Sequence, residues 1–180
     1  MLNPEKIHSL LTEIVVRSDR LHIDKFRLED LDQNYLSWFQ QPTHTEFIET
    51  VRGRPDRRSL LKSYLEMERE KTGVLFAIRI AGGKKIGTSR VSGFNLNGAS
   101  LGYLIGDLAE RGKGFATEAV TSLSDKVLSE LPIQELTAGV DLRNVASLRV
   151  LRRSGFLEVS RVEQAFAGKA RTVALFRKTQ

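Results

Sequence analysis

Residues Glu110–Val120, ERGKGFATEAV, place two glycines and two cations directly ahead of a strong helix-forming run. A flexible linker would not continue into ordered helix, and a plain turn seldom needs the order Arg111-Gly112-Lys113-Gly114. The preceding ASLGYLIGD reads as a strand. Ala116, Ala119, Val120, Leu123 and Val127 then give one apolar helical face over Phe115–Leu128. A glycine loop between strand and helix exposes backbone N–H groups at the positive end of the helix dipole, which favours a phosphate or pyrophosphate. Gly112 and Gly114 would admit that group close to the backbone, and Arg111 and Lys113 would add charge. The third glycine of G-x-G-x-x-G is missing, and no Lys-Ser/Thr pair of a P-loop follows. Alone, the stretch leaves two readings open: an anion site, or an ordinary strand–helix turn.

The chain has 180 residues, enough for one compact domain and too few for two comfortable ones. Its 41% hydrophobic and 28% charged residues belong to a folded globular protein rather than a disordered one. The absence of cysteine removes disulfides, thiolate metal sites and a cysteine nucleophile together, and is compatible with a reducing compartment. The first twenty residues carry charge in every turn, unlike a secretory signal, and apolar runs such as Val74–Ile78 are far too short to span a bilayer. A soluble cytoplasmic protein without a membrane partner is therefore expected. The 28 basic and 22 acidic side chains leave a net charge of +6. That excess could meet a nucleic acid, a membrane surface or a polyanionic small molecule, or serve solubility alone. The basic residues are scattered with no block of five or six, which argues against a nucleic-acid partner.

No repeat, low-complexity tract or linker divides the chain. The pattern predicts a helix over Pro4–Ile14, a strand over Leu21–Phe26, and helices near Asp30–Phe39 and Arg57–Lys71. VLFAIRI and KKIGTSRV flank Ala81-Gly82-Gly83 as a hairpin, followed by ASLGYLIGD, the glycine loop and its helix. ELTAGVD is a further strand. Asn144 caps a helix over Val145–Ser154 that Gly155 stops, and strands Phe156–Gln164 and Ala170–Phe176 close the chain around AFAGK. The fold class is α/β (α+β), with a mainly antiparallel sheet and one strand–helix–strand crossover.

Arg111-x-x-Gly114-x-Ala116 resembles the Q/R-x-x-G-x-G/A signature of the GNAT superfamily of acyl-CoA N-acyltransferases. DLRNVASLRVLRRSGF, Asp141–Phe156, resembles the second segment of that superfamily, with its Asn, Ser and Gly-Phe in register. LEDLDQNYLSWFQQP and GKARTVALFRK are similar to the branch typified by ribosomal-protein N-terminal acetyltransferases. The resemblance covers residues 19–178, leaving residues 1–18 as an N-terminal helical extension. It implies two parallel strands, LGYLIGD and ELTAGVD, that splay apart around a pantetheine arm. It further implies acetyl-CoA as acyl-donor cosubstrate and no metal. Backbone groups of Leu104, Ile105 and Gly106 would hold the pantetheine and the acetyl carbonyl. The amides of Gly112, Lys113, Gly114, Phe115 and Ala116, with Arg111, would cradle the pyrophosphate. Asn144 would contact the cofactor arm as well as cap its helix, and a homodimer is one assembly that relatives adopt. Arg149, Arg152 and Arg153 would either meet cofactor phosphate or form a solvated face.

Without cysteine, direct attack of an amine on the thioester is the simplest chemistry. An amine with a lysine-like pKa of about 10.4 is neutral in fewer than ~1% of molecules at pH 7, whereas an α-amino group near 8 needs less help. Many GNAT enzymes place an acidic tyrosine five residues before the Gly-Phe phenylalanine, where this chain has Leu151. In the ribosomal-protein branch a serine at the position of Ser147 is the proposed acid; alternatively Ser147 only hydrogen-bonds near the helix start. Glu49 is the candidate base, in a segment that walls the acceptor site in the family, unless a water chain serves. His44 has no metal-ligand spacing, and Trp38 and Phe39 either stack on a substrate or belong to the core. Three functions follow. The first is acetylation of a small amine such as a nucleotide-linked amino sugar, with Arg52, Arg54, Arg57 and Arg58 as possible diphosphate contacts. The second is acetylation of a ribosomal-protein N-terminus, and the third is a non-catalytic acyl-CoA sensor. Ala170 and Thr172 stand where the branch commonly has an aromatic and an acidic residue.

Overall fold

In the computed structural model, residues 3–41, 46–47, 55–95, 97–166 and 169–180 are described, with the backbone alone for Phe166 and Lys169. Eight strands form one sheet in the order β1-β2-β3-β4-β5-β6-β8-β7. They are β1 (Val16–Arg17), β2 (Leu21–Lys25), β3 (Gly73–Ile80), β4 (Lys85–Ser92), β5 (Gly98–Ile105), β6 (Glu135–Asp141), β7 (Leu157–Phe166) and β8 (Lys169–Thr179). Neighbours run antiparallel except β5 and β6, which are parallel and joined by the single helical crossover. The described helices are α1 (Pro4–Thr12), α2 (Gln33–Trp38), α3 (Arg57–Glu70), α4 (Phe115–Glu130) and α5 (Val145–Arg153).

Alternation along β3 separates the two faces of the sheet. Val74, Phe76 and Ile78 join the main core, which α1, α4 and α5 cover with Ile7, Leu11, Val120, Leu123 and Leu151. Ala77 and Leu75 face the second cluster, which holds Phe26, Tyr35 and Trp38 under Leu60, Leu61 and Tyr64 of α3. The N-terminal helix is thus part of the main core, since Ile7 and Leu11 are fully buried there, and the short β1 behind it extends the sheet.

Local chemistry explains where expected elements shorten or divide. The predicted helix over Asp30–Phe39 becomes a 3-10 turn, Leu28–Asp30, followed by α2. Asp30 turns its carboxylate back to the Arg27 N–H at 3.0 Å, and Asp32 starts the next helix by accepting from the Tyr35 N–H at 2.7 Å. Helix α3 stops one residue earlier than expected because Lys71 adopts a left-handed φ of 52°. The final hairpin is longer than predicted, with β7 and β8 paired from Leu157↔Arg177 to Phe166↔Lys169. Trp38 and Phe39 are core residues rather than exposed stacking surfaces.

A buried charge cluster anchors α2 against the sheet. Arg79 grips Asp30 through both carboxylate oxygens at 2.7 and 2.8 Å, and Lys85 donates to the Asp30 carbonyl and to Asp32. The Lys85 ammonium also lies 5.4 Å from the Phe26 ring and 5.9 Å from that of Trp38. Trp38 in turn rests on Gly106 at the end of β5, where a Cβ would fall inside the indole ring. Gly106→Ala should therefore destabilise the protein by about 1–3 kcal/mol through overpacking. A chain of this length converts each kcal/mol into a loss of roughly 2–4 °C in melting temperature, so a change below 2 °C by calorimetry would contradict this contact.

Candidate active site

The site begins where β5 and β6 part. Their parallel ladder is limited to Gly98↔Glu135, Ala99↔Leu136 and Ser100↔Thr137, although both strands continue. Beyond it, β5 follows β4 as far as Gly87↔Ile105, and β6 follows β8 to Asp141↔Val173. The Gly106 N–H donates to the Ile86 carbonyl at 2.9 Å. Antiparallel alternation then directs the backbone of Leu104 to β4, and that of Tyr103 and Ile105 into the gap. Of the three residues expected to line it, Ile105 faces the gap with its backbone, and its carbonyl accepts from Arg111 Nε at 2.9 Å. Leu104 instead adds its side chain to the α2 cluster, and the Gly106 amide is occupied by β4.

The glycine loop follows at the C-terminal end of β5. Gly112 and Gly114 have φ of 75° and 86°, left-handed values that favour glycine, and open space lies where a Gly112 side chain would stand. Gly114 is the N-cap of α4 and offers no side chain to cap it. No acceptor among the described residues takes the N–H groups from Gly112 to Thr117. The row includes the predicted Lys113, Phe115 and Ala116 amides and leaves unpaired donors at a helix start, an arrangement chemically suited to an anion. The flanking side chains are otherwise employed. Lys113 pairs with Glu110 at 2.8 Å, and Arg111, exposed as a residue, gives its Nε to the Ile105 carbonyl, its pKa lowered by desolvation. Phe115 is buried beneath the Arg20 guanidinium, 4.6 Å from its ring.

Arg20 was not among the expected site residues, yet it fastens the loop. It donates to the Lys113 carbonyl at 3.0 Å and to Glu118 at 2.7 Å, while Ser18 donates to the other Glu118 oxygen at 2.6 Å. The ninety-odd residues separating these partners hid the latch from any local pattern.

At the start of α5, Asn144 caps the helix by accepting the Ser147 N–H at 3.1 Å. Ser147 meets Tyr103 across the sheet, with their hydroxyl oxygens 2.7 Å apart. Tyr103 was overlooked as a site residue. Its alternation with the buried Leu101 and Ile105 places it on the α5 face, a signal present in LGYLIGD. Arg152 pairs with Glu158 at 2.9 Å, and Arg149 and Arg153 are exposed. Thr172 donates to Glu163 across the final hairpin at 2.6 Å. Arg57 and Arg58 are exposed at the start of α3. Glu49, His44, Arg52 and Arg54 lie outside the described residues.

The profile of the acetyltransferase (GNAT) domain matches residues 20–157. The chain belongs to the GNAT acetyltransferase family. It is 44% identical over 61 residues, 34% of its own length, to the probable N-acetyltransferase YjcK of Bacillus subtilis (strain 168), and that stretch spans 33% of YjcK. Its fold is similar to that of a ribosomal L7/L12 α-N-protein acetyltransferase solved with coenzyme A. The TM-score is 0.77 at 15% identity, covering 92% of this chain and 98% of the other. It is also similar to the Vibrio cholerae spermidine N-acetyltransferase solved with CoA and spermine, with a TM-score of 0.73 at 16% identity over 91% and 97% of the chains.

The latch has a pH signature. Burial raises the Glu118 pKa, but the hydrogen bonds from Ser18 and Arg20 outweigh it and hold the carboxyl below its ordinary value. A depressed carboxylate contributes stability above its unfolded pKa and loses it as the pH falls through the folded value. Between pH 7 and pH 3, the melting temperature of the wild type should fall more steeply than that of Glu118→Gln, the two converging at the acid end. Parallel curves would contradict the latch.

Proposed function

We propose that this chain is an acetyl-CoA-dependent N-acetyltransferase whose acceptor amine attacks the thioester directly. The observation that carries the reading is the meeting of the parted strands with the free amide row from Gly112 to Thr117. The amides suit a pyrophosphate and the gap suits a slender arm that can bond to strand backbone. The gap-facing N–H groups of Tyr103 and Ile105 are placed to polarise a thioester carbonyl lodged there. Ser147 serves as the acid that protonates the departing thiolate, and Glu49 remains the proposed base. Asn144 holds the α5 start beside the arm.

The acceptor is proposed to be a small amine with an anionic portion, such as a nucleotide-linked amino sugar. Helices α4 and α5 occupy the donor face, so the amine approaches from the face of α2 and α3. On that face Arg90 stands between Leu75 and Gly102 in register, and its Nε is buried without a hydrogen-bond partner among the described residues. The other arginines that lack a partner among the described residues, such as Arg17 and Arg149, are exposed. Beside Arg90, Gly102 leaves open space where a side chain would stand. A half-buried guanidinium without an acid partner favours a phosphate-bearing acceptor over a polyamine or a bare protein terminus.

Isothermal calorimetry with acetyl-CoA, then thiol release across an amine panel, tests the assignment. Micromolar binding and turnover are expected; binding without turnover on any amine would leave a sensor, and no binding would refute the whole reading. Gly114→Ala should weaken acetyl-CoA at least tenfold, because alanine is strained at a φ of 86°. Arg90→Gln should raise KM for nucleotide-linked amines roughly tenfold or more while sparing uncharged amines. Equal effects on both classes would remove Arg90 from acceptor recognition.

A further inference from the structure

Ser147 occupies the third position of α5, and Ser59 occupies the same position of α3, each behind an acidic or amide cap. Ser59 spends its hydroxyl on the backbone, donating to the Asp56 carbonyl at 2.9 Å. Ser147 does not. Its Oγ has one partner among the described residues, the Tyr103 hydroxyl at 2.7 Å. A phenol is a much stronger acid than an aliphatic alcohol, so in a bond between two neutral hydroxyls Tyr103 donates and Ser147 accepts. The Ser147 proton is then free of the protein and available to a group in the gap.

The surroundings keep Tyr103 in that role. It rises from the part of β5 that no longer pairs with β6, with its backbone at the gap and its ring against the main core. Burial pushes its phenol up to about 12, only partly offset by the Ser147 hydrogen bond, so it stays un-ionised at working pH. On the other side, the Asn144 cap fixes the Ser147 amide.

We propose that Tyr103 is a positioning residue that orients Ser147 and passes it a proton as the thiolate leaves. This rests on the reading of Ser147 as the acid. As the carbon–sulfur bond breaks, its electron pair goes to sulfur and Ser147 gives sulfur its hydroxyl proton. Tyr103 replaces that proton on Ser147 Oγ. The surplus proton on the new amide nitrogen is taken by the proposed base and returns through water to the Tyr103 oxygen. Nitrogen has lost one proton, sulfur has gained one, and both hydroxyls are restored. Ser147, with Tyr103 behind it, thus supplies the acid function that Leu151 cannot.

The test is a cycle of Tyr103→Phe, Ser147→Ala and the double variant in the full chain. It reads thiol release from acetyl-CoA with the fastest amine of the panel, or with water where no amine serves. Phenylalanine keeps the ring packing, and calorimetry of acetyl-CoA binding controls for damage to the site. Expected is a kcat at least tenfold lower for Tyr103→Phe, an acetyl-CoA Kd within threefold of wild type, and a double variant no slower than Ser147→Ala. Tyr103→Phe within twofold of wild type, with Ser147→Ala slow, overturns the inference and spares the Ser147 reading. Ser147→Ala unchanged overturns both, whatever Tyr103→Phe does. Multiplicative losses in the double variant also overturn it, because two hydroxyls in series cannot act independently.

Discussion

Everything in this molecule that bears on acyl transfer depends on two parallel strands being kept apart. Parted strands leave backbone groups unpaired, which costs free energy unless each strand is held elsewhere. Here both are. The end of β5 is drawn toward β4 by the Gly106 and Asp107 amides on the Ile86 carbonyl, and Trp38 presses on Gly106 from the α2 face. The end of β6 is drawn the other way by its ladder to β8, which runs to Asp141↔Val173, and the Leu142 N–H continues it onto the Thr172 carbonyl. Asp141 is further held by Arg143 at 2.6 Å and faces Arg171 at 3.5 Å. The gap is therefore the product of two outward pulls, not of a weak pairing between β5 and β6.

This geometry explains why the buried charges lie where they do. Asp30, Arg79 and Lys85 sit between α2 and the sheet, far along the chain from the glycine loop, yet they fix the helix whose Trp38 bears on the end of β5. A buried ion pair is weak evidence for stability, because desolvation offsets much of its attraction. Its value here is positional: Arg79 Nη2 held by both Asp30 carboxylate oxygens, with the Lys85 bond to the Asp30 carbonyl, fixes the turn before α2. The Arg20–Glu118 latch acts in the same way on the opposite face, tying the N-terminal strands to the anion loop.

Local features of the fold were legible in the chain because they rest on short-range chemistry. The Gly82-Gly83 hairpin, the Asn144 cap and the glycine loop each declare themselves within a few residues. The division of the predicted Asp30–Phe39 helix was hidden because Asp30 and Asp32 compete to begin a helix two residues apart, and the partly buried Arg79 and the buried Lys85 decide in favour of a turn. Within the site, the amide row could be read from Gly112-x-Gly114, since such a cradle needs little but backbone. The choice of Ile105 over Leu104 as a gap-lining residue could not, because it turns on register with β4, a relation between strands. Arg20 and Arg90 escaped notice for the same reason: one is defined by a distant partner and the other by the lack of one.

That division has a functional counterpart. The amide row and the gap are made chiefly of peptide groups, whose geometry survives almost any side-chain replacement that respects the glycines. The face proposed for the acceptor is made of side chains, and no backbone rule constrains them. Tyr103 stands at the boundary, its backbone belonging to the gap and its hydroxyl to Ser147. One strand residue thus joins the backbone of the gap to the start of α5.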